Sequence, residues 1–260
     1  MHAQLHVQVI NLEGSRDRLA AASAHLEAAG LEFERCPAFD GRGKAPRELP
    51  GYYPPLDTLW NGTRLSGGEV GCYLSHLDAA RRFLESGKSY GLVFEDDMHL
   101  TPAFPAVLEA LLSELDAGRL PGWRLINLGA TVKPNFRRSK WPLATEDGIE
   151  LCDCFDFPLF MHGLLWSREG AERFLRRGSL ILGTVDNWTR TDCAIHGHGY
   201  CLSVPIVLQQ STAGSIIETQ PERIALWQQG GKSGWWKFRS TWRSRWRRYW
   251  GMRRSRQRAS

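Results

Sequence analysis

No stretch of about 18 or more consecutive apolar residues occurs in this 260-residue chain, so no membrane-crossing helix is expected. Met1 to Asn11 lacks a basic region, a long apolar core and a small-residue cleavage site. It reads as a first strand rather than a signal peptide. There is no Gly-x-Gly-x-x-Gly and no phosphate-loop lysine motif, which excludes the usual dinucleotide site and the P-loop. Cysteines are few, at 36, 72, 152, 154, 193 and 201, and Cys152-Asp153-Cys154 is the only close pair. Nothing in their spacing repeats as zinc-finger ligands do, so free thiols are expected. Acidic residues are missing from 232–260, which hold eleven Lys and Arg. The net charge of +5 therefore divides into a body of 22 basic and 28 acidic residues, −6, and a strongly basic tail.

The body is centred on Tyr90-Gly91-Leu92-Val93-Phe94-Glu95-Asp96-Asp97. A short apolar, β-prone run reads as a buried strand, and here it ends in three carboxylates. Alternation along a strand would send Glu95 and Asp97 to one face and Asp96 to the other. Two carboxylates on one face suit a hard divalent cation that bridges to phosphate oxygens. A solvated acidic turn is the plain alternative.

Around this stretch the pattern is layered α/β with a mostly parallel sheet. Leu5–Leu12 reads as a strand, Ser15 as the cap of a helix through Ala29, and 31–36 as a second strand. In such sheets ligands lie beyond the carboxyl ends of the strands, where Asn11, Arg16 and Arg18 fall. Residues 40–65 form a long Gly-, Pro- and aromatic-rich loop of the kind that often covers a site. Ser66-Gly67-Gly68-Glu69 has capping-box spacing and opens a helix over 67–85. That accounts for Glu69 structurally. His76, flanked by Leu74 and Leu77, fits a core histidine. Thr101 and Pro102 are expected to start the next helix, 123–128 is a strand, and 133–148 a basic, aromatic loop. Residues 149–166 are β-like, Ser167 caps a helix to about Gly178, and Asp186 is either the cap of a helix through His196 or a general base. A last strand, 200–208, is interrupted by Pro205.

Several of these segments together resemble glycosyltransferase family 25, the lipopolysaccharide biosynthesis glycosyltransferases. They are Val9-Ile10-Asn11-Leu12 with Arg16 and Arg18, Ala38-Phe39-Asp40-Gly41, the run Leu65 to His76, and Val93 to Asp97. Weaker matches follow at His162–Leu165, Val185-Asp186 and 209–216. The resemblance implies a GT-A-like fold and inverting transfer of a sugar, commonly galactose, from a UDP-sugar to a saccharide or glycolipid acceptor. It implies Mn2+ or Mg2+ on Glu95 and Asp97, where the fold's usual motif has an Asp first. The donor would meet Asn11, Arg16, Ser75, His76 and Asp96. Asp186, and after it Glu69, would take the proton from the acceptor hydroxyl, a service worth about 10²–10⁴-fold.

In the tail, Trp235, Phe238, Trp242, Trp246 and Tyr249 are spaced to form one stripe on a helix, with Arg243, Arg247 and Arg248 opposite. A basic amphipathic helix of this kind lies on anionic lipid. The expected organisation is a catalytic domain over 1–231 and a membrane-surface tail over 232–260, placed at the cytoplasmic, inner face of the cell membrane. Nucleic acid is the competing partner, since bases also stack on aromatic and Arg side chains. The acidic body disfavours it.

Overall fold

A computed structural model describes residues 2–54, 64–133 and 137–210 (137–140 by backbone alone), and residues 242, 245, 246, 249, 250 and 253 of the tail. The ten described strands are β1 (Leu5–Asn11), β2 (Glu34–Pro37), β3 (Tyr90–Glu95), β4 (Met98–Leu100), β5 (Leu125–Asn127), β6 (Arg137–Pro142), β7 (Glu150–Cys154), β8 (Gly163–Ser167), β9 (Gly199–Leu202) and β10 (Val207–Gln209). The described α-helices longer than a turn are α1 (Arg16–Ala28), α2 (Gly67–Glu85), α3 (Phe104–Asp116), α4 (Arg168–Gly178) and α5 (Val185–His196).

Eight strands form one sheet in the order β2-β1-β3-β8-β5-β9-β7-β6, and β10 pairs with β4 in a second, two-stranded sheet. The large sheet is mixed. Its β2-β1-β3 end is parallel, and so is β5 with β9. By contrast β8 runs antiparallel between β3 and β5, and the β7 and β6 pairings are antiparallel too. The mostly parallel arrangement expected from the sequence holds at the end that carries the acidic stretch.

Alternation along the strands feeds two cores. Val7, Val9, Leu92, Phe94 and Leu165 pack on one face with Leu26 of α1 and Leu108 and Leu111 of α3. Ile10, Val93, Leu164 and Trp166 pack on the other with Val70, Tyr73 and Phe83 of α2, Phe174 of α4 and Val185 of α5. Helices thus cover both faces, and each fully buried Leu or Phe contributes about 1.5–3 kcal/mol.

Several local expectations shift. α3 starts at Phe104, with Pro105 in its first turn, rather than at Thr101-Pro102. The Thr101 N–H is taken by the Ile206 carbonyl at 3.0 Å, and the Thr101 carbonyl accepts from Phe104 N at 3.0 Å in a turn that precedes the helix. Residues 133–148, read as a loop, contain the edge strand β6, because β7 offers it a partner. The last strand divides at Pro205 into β9 and β10, which belong to different sheets. Asp186 is not a cap: Thr184 occupies that position and Asp186 lies in the first turn of α5. The described tail residues are helical. The rings of Trp242 and Trp246 are 6.5 Å apart, and Arg253 lies over Trp250 at 5.5 Å. Tyr249 is exposed, its ring 5.9 Å from that of Trp250, while Trp235, Phe238 and the arginines expected opposite fall outside the described residues. No helix of the described residues is long and apolar enough to cross a membrane.

Candidate functional site

The connection from β1 goes through α1 to β2 on one side, and the chain later returns through α2 to β3 on the other. β1 and β3 are therefore the neighbours at which strand order reverses, and a crevice opens at their carboxyl ends. Asn11 closes β1 there, and Glu95 closes β3. A cleft of about 660 Å3, including open space at its mouth, lies at this point. Its walls include Arg18, Phe39, Arg42 and Cys72, with Glu95, Asp96 and Asp97 together on one side.

β3 stops at Glu95, and Asp96 and Asp97 form the turn into β4. The expected alternation therefore does not extend through the three acids. The two aspartates meet the same guanidinium: Arg18 Nη2 is 2.9 Å from Asp96 Oδ1 and 3.0 Å from Asp97 Oδ2. Asn11 Nδ2 donates to Asp96 Oδ2 at 2.7 Å, and Gln209 Nε2 donates to Asp97 Oδ2 at 2.9 Å. Glu95 points to α2 instead, with its Oε1 3.1 Å from His76 Nε2 and accepting from Cys72 Sγ at 3.7 Å.

These surroundings set the charges apart. Burial works to raise the Glu95 pKa, but the His76 hydrogen bond and charge more than offset it and leave Glu95 below the ordinary value. Burial, and then the charge of Glu95, push Asp97 up, while Gln209 and Arg18 pull the other way. Asp96 is also raised by burial, against Arg18 and Asn11. Asp97 Oδ1 is buried without a hydrogen-bond partner. A buried acceptor of that kind is costly unless something arrives to meet it.

The remaining sequence candidates divide into contributors and supports. Asn11 is buried and fully engaged, since its Oδ1 accepts from Arg35 Nε at 3.0 Å and its Nδ2 also reaches the Ser15 carbonyl. It orients Asp96 rather than facing open space. Arg16 is exposed on the first turn of α1, and Arg18, one half-turn on, is the arginine that enters the site. Ser75 lines the cleft, with Oγ donating to the Gly71 carbonyl at 2.8 Å and accepting from Phe39 N at 2.8 Å. It pins the wall loop to α2. That loop comes so close that a Cβ on Gly71 would lie 2.6 Å from the Phe39 carbonyl oxygen. Only glycine permits such an approach. Glu69 completes the capping box as expected, with Oε2 accepting from Ser66 N at 2.8 Å and Ser66 Oγ donating to Glu69 Oε2 at 3.0 Å. Asp186 Oδ1 accepts from Thr184 Oγ1 and from Asn187 N. Burial raises the Cys72 thiol well above its ordinary pKa, and the charges of Glu95, Asp186 and Glu69 add to this. That places both base candidates within electrostatic reach of the cleft wall.

Arg18, expected beyond the end of the first strand, enters the site, and three residues given no role from the sequence join it: Cys72, Gln209 and His162. The His162 Nε2 lies 3.0 Å from the Gly129 carbonyl oxygen, and its charge favours the ionised forms of Glu95 and Asp97. Beside it Phe160 is exposed at φ 74°, its carbonyl held by Asn127 Nδ2 at 2.8 Å. The helical spacing of Cys72 and His76 was a usable signal. Gln209, on a strand far along the chain, was marked only by the weaker family resemblance over 209–216.

Residues 4–142 match the family described as Glycosyltransferase family 25 (LPS biosynthesis protein). A Glycosyltransferase 25 family member of Anopheles gambiae is 30% identical over 183 residues, which are 67% of this chain and 29% of that protein. Procollagen galactosyltransferase 1-A of Xenopus laevis is 27% identical over 183 residues, 67% of this chain and 28% of that protein. The Probable inactive glycosyltransferase 25 family member 3 of Bos taurus is 42% identical over 122 residues, 44% of this chain and 19% of that protein. The chain thus spans under a third of the length of each of these relatives.

Proposed function

The chain belongs to glycosyltransferase family 25, and on that premise we propose that it moves a sugar, galactose in the first instance, from a UDP-sugar to a saccharide acceptor such as lipopolysaccharide, with inversion. We take its layered body as GT-A-like. The observation that carries the reading is the cleft at the carboxyl ends of β1 and β3, with three carboxylates and Arg18 on its walls.

The acidic turn fits a hard divalent cation, Mn2+ or Mg2+, because Asp97 Oδ1 is a buried oxygen with no partner. Asp97 and Asp96 would hold it, with Glu95 behind them. Such a cation supplies charge neutralisation to a departing diphosphate. The chain's own residues do the rest. Arg18 presents a guanidinium to phosphate oxygens, whose planar fork matches them. Asn11 and Gln209 fix the aspartates. An acceptor hydroxyl oxygen bonds to the anomeric carbon as the bond to the diphosphate breaks, and its proton passes to a carboxylate. Asp186 is the better base, since the Glu69 carboxylate is engaged in capping α2.

Incubation with a panel of UDP-sugars, with and without Mn2+, is expected to release UDP from one donor preferentially and to need the cation. Absence of release from every donor, with a saccharide mixture present, would defeat the enzymatic reading. It would favour the second one, a non-catalytic saccharide-binding relative. That reading is motivated by the 42% identity to a probable inactive member and by the engagement of both aspartates with the one Arg18 guanidinium.

The basic, Trp-rich residues 232–260 would hold the protein to an anionic membrane surface at the cytoplasmic face, each basic side chain there adding about 1 kcal/mol. The full chain is expected to float with anionic vesicles at low salt and to be released at high salt. Equal recovery with neutral vesicles, or none with either, rules the electrostatic tether out.

A further inference from the structure

We infer that Cys72, His76 and Glu95 form a cation site of mixed sulfur, nitrogen and oxygen donors in the cleft wall, suited to zinc-class ions and distinct from the hard-oxygen site of Asp96 and Asp97. It stands on geometry alone and does not require that sugar transfer occurs.

Cys72 and His76 are four residues apart on α2, so their side chains share one helix face. The C-terminal residue of β3 brings Glu95 against that face. One ligand atom from each of the three lies within 4.8 Å of the others. Glu95 Oε1 is 3.1 Å from His76 Nε2 and 3.7 Å from Cys72 Sγ. A tetrahedral zinc ion at its usual bond lengths, near 2.3 Å to sulfur and 2.1 Å to nitrogen or oxygen, holds neighbouring N and O ligands about 3.4 Å apart and S and O ligands about 3.6 Å apart. The two pairs that include Glu95 are thus within a few tenths of an ångström of the spacing of ligands on one ion, and the Cys72–His76 pair, within 4.8 Å, closes onto the same ion by small side-chain movement. Three protein ligands with a fourth position open is the arrangement of zinc sites that admit a water or a substrate oxygen. Here the fourth position faces the cleft, because Cys72 and Glu95 both line it.

Charge and donor type choose the ion. Loss of the Cys72 proton on binding gives a thiolate, which with the Glu95 carboxylate neutralises a dication. His76 supplies a neutral nitrogen. Its ring is 2% exposed and fixed by packing, so little conformational freedom is lost on ligation. A thiolate and an imidazole select zinc or cobalt over magnesium, which takes oxygen ligands.

The test is a cobalt titration of the full-length, chelator-treated chain under reducing conditions. One equivalent of Co2+ is expected to produce a thiolate-to-cobalt charge-transfer band in the near ultraviolet, with the strong visible bands of four-coordinate cobalt. Zn2+ should abolish both, and excess Mg2+ neither. Cys72→Ser should lose the charge-transfer band while keeping the wild-type circular dichroism. Cys154→Ser, at a buried thiol elsewhere, should retain it. If Cys72→Ser does not fold, Glu95→Gln serves: it should keep the charge-transfer band and alter the visible spectrum. No charge-transfer band in the wild type, or one that survives in folded Cys72→Ser, overturns the proposal. UDP release assayed in parallel separates the two readings, since a chain that binds cobalt in this way but transfers nothing keeps the site and loses the enzyme.

Discussion

Asp97→Asn is expected to lower turnover by about 10²–10³-fold, the usual cost of removing one group that stabilises developing charge, and to leave the fold unharmed. Asn is nearly the same shape, and its carbonyl oxygen can accept from Gln209 Nε2 as Asp97 does at 2.9 Å. Arg18 keeps Asp96 at 2.9 Å. The stability change should run the other way from the activity change. Burial and the Glu95 charge raise the Asp97 pKa in the folded chain above its ordinary value near 3.8. A raised carboxyl pKa means that the folded state holds its proton longer than the unfolded state. Stability from this group is therefore present at low pH and lost as pH rises through the folded-state pKa. At neutral pH the ionised Asp97 is a net burden, and a neutral amide relieves it. The variant should melt at or above the wild-type temperature while UDP release collapses. Full transfer activity in Asp97→Asn would remove the acidic turn from the chemistry.

Phe174→Ala should destabilise the fold by about 3–5 kcal/mol, the typical cost of emptying a large aromatic site. In a domain of this size that lowers the melting temperature by roughly 6–20 °C. Phe174 is fully buried where α2, α4, α5 and β8 converge. Its ring stacks on Trp166 at 5.4 Å and tilts against Tyr73 at 5.6 Å and Trp188 at 4.8 Å. Those neighbours are themselves rigid rings, so the void has little means to close. Tyr73 sits beside Cys72 on α2, so loosening this cluster reaches the helix that backs the cleft. A thermal melt checks the prediction, and a shift of only a degree or two would show that the surrounding rings repack.

Where a feature depended on neighbours in the chain, the sequence was a good guide. β1, β3 and the Ser66–Glu69 capping box are where the local pattern places them, and so is the Ser167 cap, whose Oγ accepts from Gly170 N at 3.0 Å. Features set by distant partners were not legible. The direction of β8 depends on its insertion between β3 and β5, which nothing within residues 163–167 encodes. Thr101-Pro102 carries a convincing helix start, yet it forms a turn tied to the distant Ile206 and the helix begins at Phe104. At the site, the three acids were visible as a group. Which of them faces which partner was not, because alternation ends where β3 ends. Glu95 went to His76 and Cys72, the aspartates to Arg18, and the choice between Arg16 and Arg18 was decided by the helix phase of α1.

The antiparallel pairing of β10 with β4 brings Gln209 opposite Met98, directly after the acidic turn. The next residue, Gln210, donates its backbone N–H to the Asp97 carbonyl at 2.7 Å. The strand from the far end of the chain is therefore fastened to the backbone of the very aspartate whose carboxylate lines the cleft. A change that unpairs β10 from β4 therefore disturbs Asp97 twice over, through its backbone carbonyl and through its carboxylate.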